Sequence, residues 1–398
     1  MTRPARVVLV TAQTTGGIGR HVSSLLPELL ERGARVDVAA PRSTGGLGAE
    51  AAGIPFWPVE IPRLPSPVPA VSALRGLRRA LDGADLVHAH GVRAGLAAGA
   101  AARTDNVPHL VVTIHNAVFE GGPPRRGAET VANRMLALLS ERRICVSEDL
   151  ARAARAGAPA KAGEVLVMPV GADLTPPPPE DVAGARAALG LAPGQRLIVS
   201  VGRLHPQKGF DLLVEAAARL DGSPGPVVAI CGEGPARPEL EDRIHNLGLS
   251  GRVRLLGHQP DAKALIAAAD VVCMPSRWEG SPLALHEALA AGRPVVAAAT
   301  GGIAERLAFG EAGLIVPPEN PGALAAALHR VLEDEALASR LGAGARKAAA
   351  AWPDAAETAR RVADLYEELL GRPLGGSDTA SGSDTAGGSD TAGGSATE

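Results

Sequence analysis

Residues 7–40 read VVLVTAQTTGGIGRHVSSLLPELLERGARVDVAA and decide the fold of the N-terminal half. The apolar runs Val7–Val10 and Val36–Ala40 have the length of strands and do not alternate with polar residues, as in parallel strands buried on both faces. Between them, residues 18–32 repeat apolar side chains at helical spacing before Gly33, a residue suited to end a helix. The stretch therefore predicts a strand, a helix and a second, parallel strand.

The same alternation continues along the chain. Further strand-sized apolar runs lie at residues 86–89, 110–114, 144–146, 197–201, 227–230, 253–256, 271–274 and 295–299. Helical or glycine-rich segments separate them, which is typical of α/β proteins with parallel sheets. The predicted fold class is α/β, with two Rossmann-like doubly wound domains whose ligand-binding loops face a shared cleft.

A break in the alternation gives the predicted domain boundaries. Thr175 and the four prolines after it predict a stiff, extended linker over residues 175–184, between a domain at 1–174 and a second at 185–352. Residues 353–372 predict a C-terminal helix that could pack back on the N-terminal domain. Residues 373–398 contain three Gly-Ser-Asp-Thr-Ala units, and their composition predicts a disordered tail.

Composition excludes several classes of protein. The net charge of −3 provides no basic field for nucleic acid. The three cysteines, Cys145, Cys231 and Cys273, are odd in number and far apart, which favours a reducing cytoplasm over a disulfide-bonded secreted protein. No apolar run reaches the roughly 18 residues of a membrane-spanning helix. We expect a cytoplasmic protein whose membrane contact, if any, is peripheral.

Gly16 and Gly17 form the first candidate binding element. They lie between a strand and a helix, where free amides and the positive helix end favour a phosphate. Asp37 lies twenty residues beyond Gly17 and admits a dinucleotide-binding interpretation. However, the complete glycine fingerprint is absent and Asp37 lies in mid-strand, so a structural role is favoured and a dehydrogenase is the weakest alternative.

Two charged loops form the second and third candidates. Residues 202–209, GRLHPQKG, place Arg203 and Lys208 in one loop, where a guanidinium fork and an ammonium suit a diphosphate. Residues 279–287, EGSPLALHE, place Glu279 before a helix that begins near Pro282, with Glu287 in its second turn. Carboxylates accept hydrogen bonds from sugar and ribose hydroxyls. Taken by itself, the loop at 202–209 could also be an ordinary solvated basic loop, and the loop at 279–287 could also be an acidic surface.

Jointly, these motifs resemble a known family. With GEGP at 232–235 and TGGIAE at 300–305, their order is similar to family 4 of the retaining glycosyltransferases, which have the GT-B fold. The resemblance covers about residues 5–370. It departs from the family pattern at Ser281 and Pro282, where an aromatic residue and a glycine are frequent.

The resemblance implies a role for each matched residue. Arg203 and Lys208 would bind the donor diphosphate. Glu279 would bind the transferred sugar, and Glu287 would bind the ribose. His115 would contact the sugar from the N-terminal acceptor domain. The predicted catalytic residues are His115, Arg203, Lys208 and Glu279. The predicted donor-binding residues are Gly16, Gly17, Arg203, Lys208, Glu279, Gly280, Ser281, Leu283 and Glu287.

Metal-ligand patterns are weak. His88 and His90 share a strand face and could form a trio with His115, but no carboxylate or cysteine completes a set. No Asp-x-Asp stands at a strand end for Mg²⁺ or Mn²⁺. We therefore expect no metal and no cofactor, with a nucleotide-diphosphate-sugar as substrate.

The predicted function is retaining, metal-independent transfer of a sugar to an unidentified acceptor, in cell-envelope glycan or glycolipid synthesis. A nucleotide-sugar epimerase, a phosphorylase or a catalytically silent nucleotide-sugar-binding protein could share the architecture. Arg125 and Arg126 follow the strand that bears His115. A solvated helix face is the favoured interpretation, and contact with a lipid-linked acceptor at the inner membrane surface is the alternative.

Overall fold

The computed structural model of the chain contains two parallel β-sheets covered by helices. It describes residues 2–376 except 13–15, 50–51, 63–66, 117–122, 157, 160–161, 221, 223–224, 260–261 and 310. Most of the predicted tail, residues 377–398, lies outside the described residues. Within the described part of the chain, none of the helices combines the length and hydrophobicity needed to cross a bilayer.

The N-terminal sheet has seven strands in the order β3-β2-β1-β4-β5-β6-β7. The strands are β1 (Arg6–Thr11), β2 (Arg35–Ala40), β3 (Phe56–Pro58), β4 (Leu86–His90), β5 (His109–Ile114), β6 (Arg142–Cys145) and β7 (Glu164–Val167). The helices are α1 (Gly17–Glu31), α2 (Pro67–Leu81), α3 (Val92–Thr104), α4 (Pro123–Leu139) and α5 (Glu148–Arg155), with a 3₁₀ helix at Arg42–Gly48. The strand order reverses direction between β1 and β4, the point at which such sheets bind ligands.

The C-terminal sheet has six strands in the order β10-β9-β8-β11-β12-β13. The strands are β8 (Leu197–Val201), β9 (Val227–Cys231), β10 (Val253–Leu255), β11 (Val271–Met274), β12 (Val295–Ala298) and β13 (Gly313–Val316). The helices are α6 (Pro179–Ala188), α7 (Phe210–Ala217), α8 (Arg237–Asn246), α9 (Lys263–Ala268), α10 (Leu283–Ala290), α11 (Ile303–Ala308), α12 (Pro321–Glu333), α13 (Glu335–Ala350) and α14 (Ala355–Leu370), with a 3₁₀ turn at Pro206–Lys208.

The apolar pattern of the sequence explains both cores. In the first domain, Val7 and Leu9 are fully buried and pack with Leu25 and Leu29 from the inward face of α1. In the second, strands β8 and β11 bury both of their faces, as their unbroken apolar runs require. The predicted α/β class, with two doubly wound domains facing a cleft, is confirmed.

Three strands were not predicted from the sequence: β3, β7 and β13. Each lies at the edge of its sheet. Strand β3 has three residues and ends in Pro58, which an edge position tolerates because one side of the strand needs no ladder hydrogen bond. Strand β7 is only half-buried. Short or half-exposed edge strands carry little of the apolar signal on which the prediction depends.

The linker prediction is wrong over residues 179–184. Residues 173–178 lack regular structure, but helix α6 begins at Pro179. Proline is favoured at the first helical position, and Glu180 and Asp181 complement the positive end of the helix. The last proline of the run therefore starts a helix of the second domain instead of extending the hinge.

The C-terminal helix α14 packs on the N-terminal domain. The chain returns at an isolated bridge between Ala172 and Asp354, and Tyr366 is fully buried in the N-terminal core beside α1. The predicted tail begins too early, because Leu374 is also fully buried and its carbonyl accepts a 2.8 Å hydrogen bond from the Ala5 amide. Leu374 is the last large apolar residue before the repeats, which explains why it packs.

Candidate donor site

The predicted site residues converge on one cleft between the two domains. Its cavity has a volume of about 180 Å³ and is lined from both sides. The lining includes Gly16, Gly17, His115, Arg203, Lys208, Glu279, Gly280, Ser281 and Leu283. Glu287, on helix α10, is not among the lining residues but pairs with Arg20, which is. Residues that are far apart in sequence meet because each follows the carboxyl end of a parallel strand.

Lys208 and Glu279 form a buried ion pair in the cleft. The Lys208 ammonium lies 2.5 Å from Oε1 of Glu279, and the Ser276 hydroxyl donates a 2.6 Å hydrogen bond to the same oxygen. Gly209 allows this loop to pass close to strand β11, since a Cβ there would lie 2.1 Å from the Pro275 carbonyl. The interpretation of Lys208 as part of a solvated basic loop is therefore wrong.

Glu287 is buried and paired across the domains. Its side chain is 4% exposed, and Oε1 accepts a 2.6 Å hydrogen bond from Nη1 of Arg20 on helix α1. Its Oε2 is buried without a hydrogen-bond partner among the described residues. With Glu279 also buried, the acidic-surface interpretation is wrong for both carboxylates. Arg20 was missed by the sequence analysis, although it lies only three residues beyond Gly17.

Gly280 lies where the two domains come into contact in the cleft. A Cβ at this position would lie 2.1 Å from the carbonyl oxygen of His115, so any larger residue would push the domains apart. His115 follows strand β5 and lines the cavity opposite Glu279. The close approach holds the loop after β11 against the end of β5.

The structure groups the histidines differently from the set considered in the sequence, which was His88, His90 and His115. The ring of His88 hydrogen-bonds Tyr366 at 2.5 Å and Thr113 at 2.7 Å. In its place, His21 of α1 joins His90 and His115, and ring nitrogens of the three lie within 4.8 Å of one another. The signal for His21 was a polar residue on the otherwise apolar, inward face of α1.

These histidines are neutral because they are buried. Burial lowers the pKa of His21 to about 4 and that of His88 to about 3. Burial also holds the pKa values of His90 and His115 well below the usual 6.5. Near neutral pH each ring therefore offers one hydrogen-bond donor and one acceptor.

The trio of His21, His90 and His115 fits a metal ion poorly. Nδ1 of His90 lies 3.3 Å from Nε2 of His115, a separation that a ring-to-ring hydrogen bond explains equally well. Histidines that bind metal almost always donate their second nitrogen to a carboxylate, carbonyl or water. Nδ1 of His21 and Nε2 of His90 are instead buried without a partner among the described residues. Among the described residues, neither nitrogen has the carboxylate or carbonyl partner that would orient its ring if the ring's other nitrogen bound an ion.

Two further predictions concern residues outside the cleft. Asp37 accepts hydrogen bonds from Nη2 of Arg6 at 2.6 Å and Nε1 of Trp57 at 2.8 Å, within the sheet of the first domain. The Asp37 carboxylate therefore has a structural role. This removes the observation on which the dinucleotide-binding interpretation depended. The side chains of Arg125 and Arg126 lie outside the described residues.

Comparison with protein families adds a second line of support. Residues 15–175 match the family model described as Glycosyltransferase Family 4, and residues 182–348 match that described as Glycosyl transferases group 1. The D-inositol 3-phosphate glycosyltransferase of Nocardia farcinica is 32% identical, over 92% of this chain and 90% of the relative. That of Nocardiopsis dassonvillei is 30% identical, over 91% and 94%.

Solved structures share the fold. Anabaena Alr3699/HepE in complex with UDP and glucose superposes with a TM-score of 0.80 at 22% identity, over 92% of this chain and all of the other. Sucrose-phosphate synthase from Thermosynechococcus elongatus gives a TM-score of 0.79 at 24% identity, over 92% and 99%. At this identity the likeness concerns the fold alone. Together with the family matches and the convergence of the motifs on one cleft, it shows that the chain is a glycosyltransferase of family 4 with the GT-B fold.

Proposed function

We propose that the protein transfers a sugar, with retention of anomeric configuration and without a metal ion, from a nucleotide-diphosphate-sugar to an acceptor. The observation that carries this proposal is the convergence of Arg203, the Lys208–Glu279 pair and Glu287 on one interdomain cleft. The two cations would suit a diphosphate, and the two buried carboxylates would accept hydrogen bonds from sugar and ribose hydroxyls. The Anabaena neighbours bound to UDP and UDP-glucose support a donor of this class.

The cations would act on the leaving group. As the bond from the anomeric carbon to the phosphate oxygen breaks, negative charge grows on the diphosphate, and Arg203 and Lys208 stabilise it in place of a metal ion. Glu279 accepts hydrogen bonds from the transferred sugar, and Glu287 accepts them from the ribose. Closure of the domains excludes water that would otherwise hydrolyse the donor.

The anomeric configuration is retained if the acceptor attacks the anomeric carbon on the same face of the sugar from which the diphosphate departs. The acceptor oxygen forms the new bond to the anomeric carbon, and its proton passes to the departing phosphate oxygen. Glu279 is a poor alternative base or nucleophile, because one of its oxygens is already held by Lys208 and Ser276. His115 then contributes as a neutral hydrogen-bonding group beside the sugar.

A nucleotide-sugar screen tests the proposal. UDP-, GDP- and ADP-sugars are added in turn, thermal stabilisation identifies the donor, and NMR of the products determines their anomeric configuration. D-inositol 3-phosphate is the first soluble acceptor to try, because the named relatives act on it. An inverted product would contradict retention. An epimerised free sugar nucleotide would identify an epimerase, and binding without turnover would identify a silent binding protein.

We expect chelators to leave transfer unchanged. Because Arg203 and Lys208 supply the positive charge at the diphosphate, the initial rate should be the same in EDTA as in Mg²⁺ or Mn²⁺. The measurement is the rate after exhaustive dialysis against EDTA, with and without added ion. A strict requirement for either ion would contradict the metal-free mechanism.

Helix α4 supports a proposal of peripheral membrane contact. Val131, Met135 and Leu138 are 59%, 49% and 54% exposed, and their spacing places them on one helix face with the exposed Arg134 between them. An apolar stripe with a basic neighbour suits the surface of an anionic bilayer. The buried thiols of the three cysteines fit the cytoplasmic side.

Liposome sedimentation tests this contact. Wild type should co-sediment with phosphatidylglycerol vesicles in a salt-sensitive manner. The Met135→Gln/Leu138→Gln variant should bind less, and so should the Arg125→Ala/Arg126→Ala variant, by about 1 kcal/mol per arginine near the surface. Leu247→Gln, which removes an exposed leucine from the other domain, is the matched control. Equal recovery of all proteins in the supernatant would contradict membrane contact and favour a soluble acceptor.

A further inference from the structure

Arg20 brings a third cation to the donor cleft, from the N-terminal domain. It lies in the first turn of α1, three residues beyond Gly17, and lines the same cavity as Arg203 and Lys208. Its side chain is 51% exposed, in contrast to its buried partner Glu287. A half-exposed arginine keeps enough freedom to exchange one partner for another.

The Glu287 carboxylate is only half satisfied in this arrangement. Oε1 is held by Arg20, and Oε2 is buried without a partner among the described residues. A buried, unpaired carboxylate oxygen is unfavourable, and such atoms often mark the place of a missing ligand. A ribose diol has two hydroxyl donors, which can occupy both oxygens of one carboxylate. A ribose diol that binds both oxygens therefore competes with Arg20 for Oε1.

The displaced guanidinium has an obvious new partner. In the donor-bound cleft, a diphosphate held by Arg203 and Lys208 would place negative charge in the cavity that Arg20 also lines. The amino end of α1, beside Arg20, already favours an anion there. Arginine matches phosphate geometry with two parallel N–H donors.

We infer that Arg20 pairs with Glu287 in the empty cleft and transfers to the donor diphosphate when the donor ribose takes Glu287. This inference rests on the proposed function. Because Arg20 and Glu287 belong to different domains, the exchange couples recognition of the nucleoside to placement of N-terminal positive charge on the leaving group. Arg20 is then a catalytic residue, since it touches the departing diphosphate.

The test compares UDP with UMP, which lacks the β-phosphate. The ratio of their Kd values measures how strongly the protein binds that phosphate. In Arg20→Gln the ratio should fall about tenfold and kcat should fall about tenfold or more, because a charge-assisted contact to the leaving group is lost. Arg20→Lys should restore part of both. Arg35→Gln, an exposed arginine at the start of β2, is the control.

A purely structural role for Arg20 predicts a different result. If Arg20 only held the domains together through Glu287, then Glu287→Gln and Arg20→Gln would weaken UDP and UMP equally, and the ratio would not move. That outcome, with wild type active, would overturn the inference and leave the proposed function standing. If wild type bound none of UDP, GDP and ADP, the proposed function itself would fail, and the inference with it.

Discussion

Replacing Lys208 with alanine or Glu279 with glutamine is expected to slow sugar transfer by about 100-fold or more. Lys208→Ala removes a positive charge at the departing diphosphate, whose negative charge is greatest in the transition state. Glu279→Gln removes the negative charge that pairs with Lys208 at 2.5 Å and that would accept hydrogen bonds from the sugar hydroxyls. Initial rates with the donor identified in the screen provide the measurement.

A control variant distinguishes a loss of rate that is specific to the donor site from one caused by removing any lysine ion pair. Lys263 forms a 2.7 Å salt bridge outside the cleft with the exposed Asp173, so Lys263→Ala removes a lysine ion pair that does not belong to the site. Its rate should stay near that of wild type. The Tm of each variant shows whether it is folded. Near-normal transfer by a folded Lys208→Ala or Glu279→Gln protein would contradict the donor-site assignment.

The sequence predicted the donor side of the cleft because its motifs are local. Gly16–Gly17, the loop at 202–209 and the loop at 279–287 each follow a strand, and parallel strands bring their carboxyl ends to one edge of their own sheet. In two doubly wound domains these edges face a shared cleft, so the sequence could predict which loops line it. The departures Ser281 and Pro282 did not prevent the loop from lining the cavity.

Contacts between distant elements could not be predicted in this way. The pairing of Arg20 with Glu287 depends on how two domains face each other, and the exchange of His88 for His21 in the trio depends on Tyr366 arriving from α14. Neither has a local sequence signal beyond a polar residue on an apolar face. The packing of Leu374 was missed for the same reason, since its partner is the amide of Ala5 at the other end of the chain.

The buried histidines lead to the second large expected effect, a steep loss of stability between pH 6.5 and 5. Burial lowers the pKa of His21, His88, His90 and His115 in the folded protein, and that of His286 in the second domain, whereas in the unfolded chain each has a pKa near 6.5. Below that pH the unfolded chain binds protons that the folded protein does not. The free energy of unfolding therefore decreases as pH falls, by up to about 1.4 kcal/mol per pH unit for each histidine.

The pH window identifies the histidines as the cause. Carboxylates such as Asp173, whose pKa is lowered to about 2 by Lys263 and Thr175, bind protons in the unfolded chain mainly below pH 4. His21 stops contributing near pH 4, where the buried ring itself becomes protonated. Urea unfolding at pH 7, 6 and 5 measures the slope.

Single substitutions assign the slope to the cluster. His21→Asn removes one buried ring, so its unfolding free energy should depend less steeply on pH, by about 1.4 kcal/mol per unit. His245→Asn should keep the wild-type slope, because that ring is exposed in both states. A wild-type unfolding free energy that stays flat from pH 7 to 5 would mean that the folded cluster takes up protons as readily as the unfolded chain. In that case His115 would face the donor sugar as a cation below pH 6, and its role as a neutral hydrogen-bonding group would have to be abandoned.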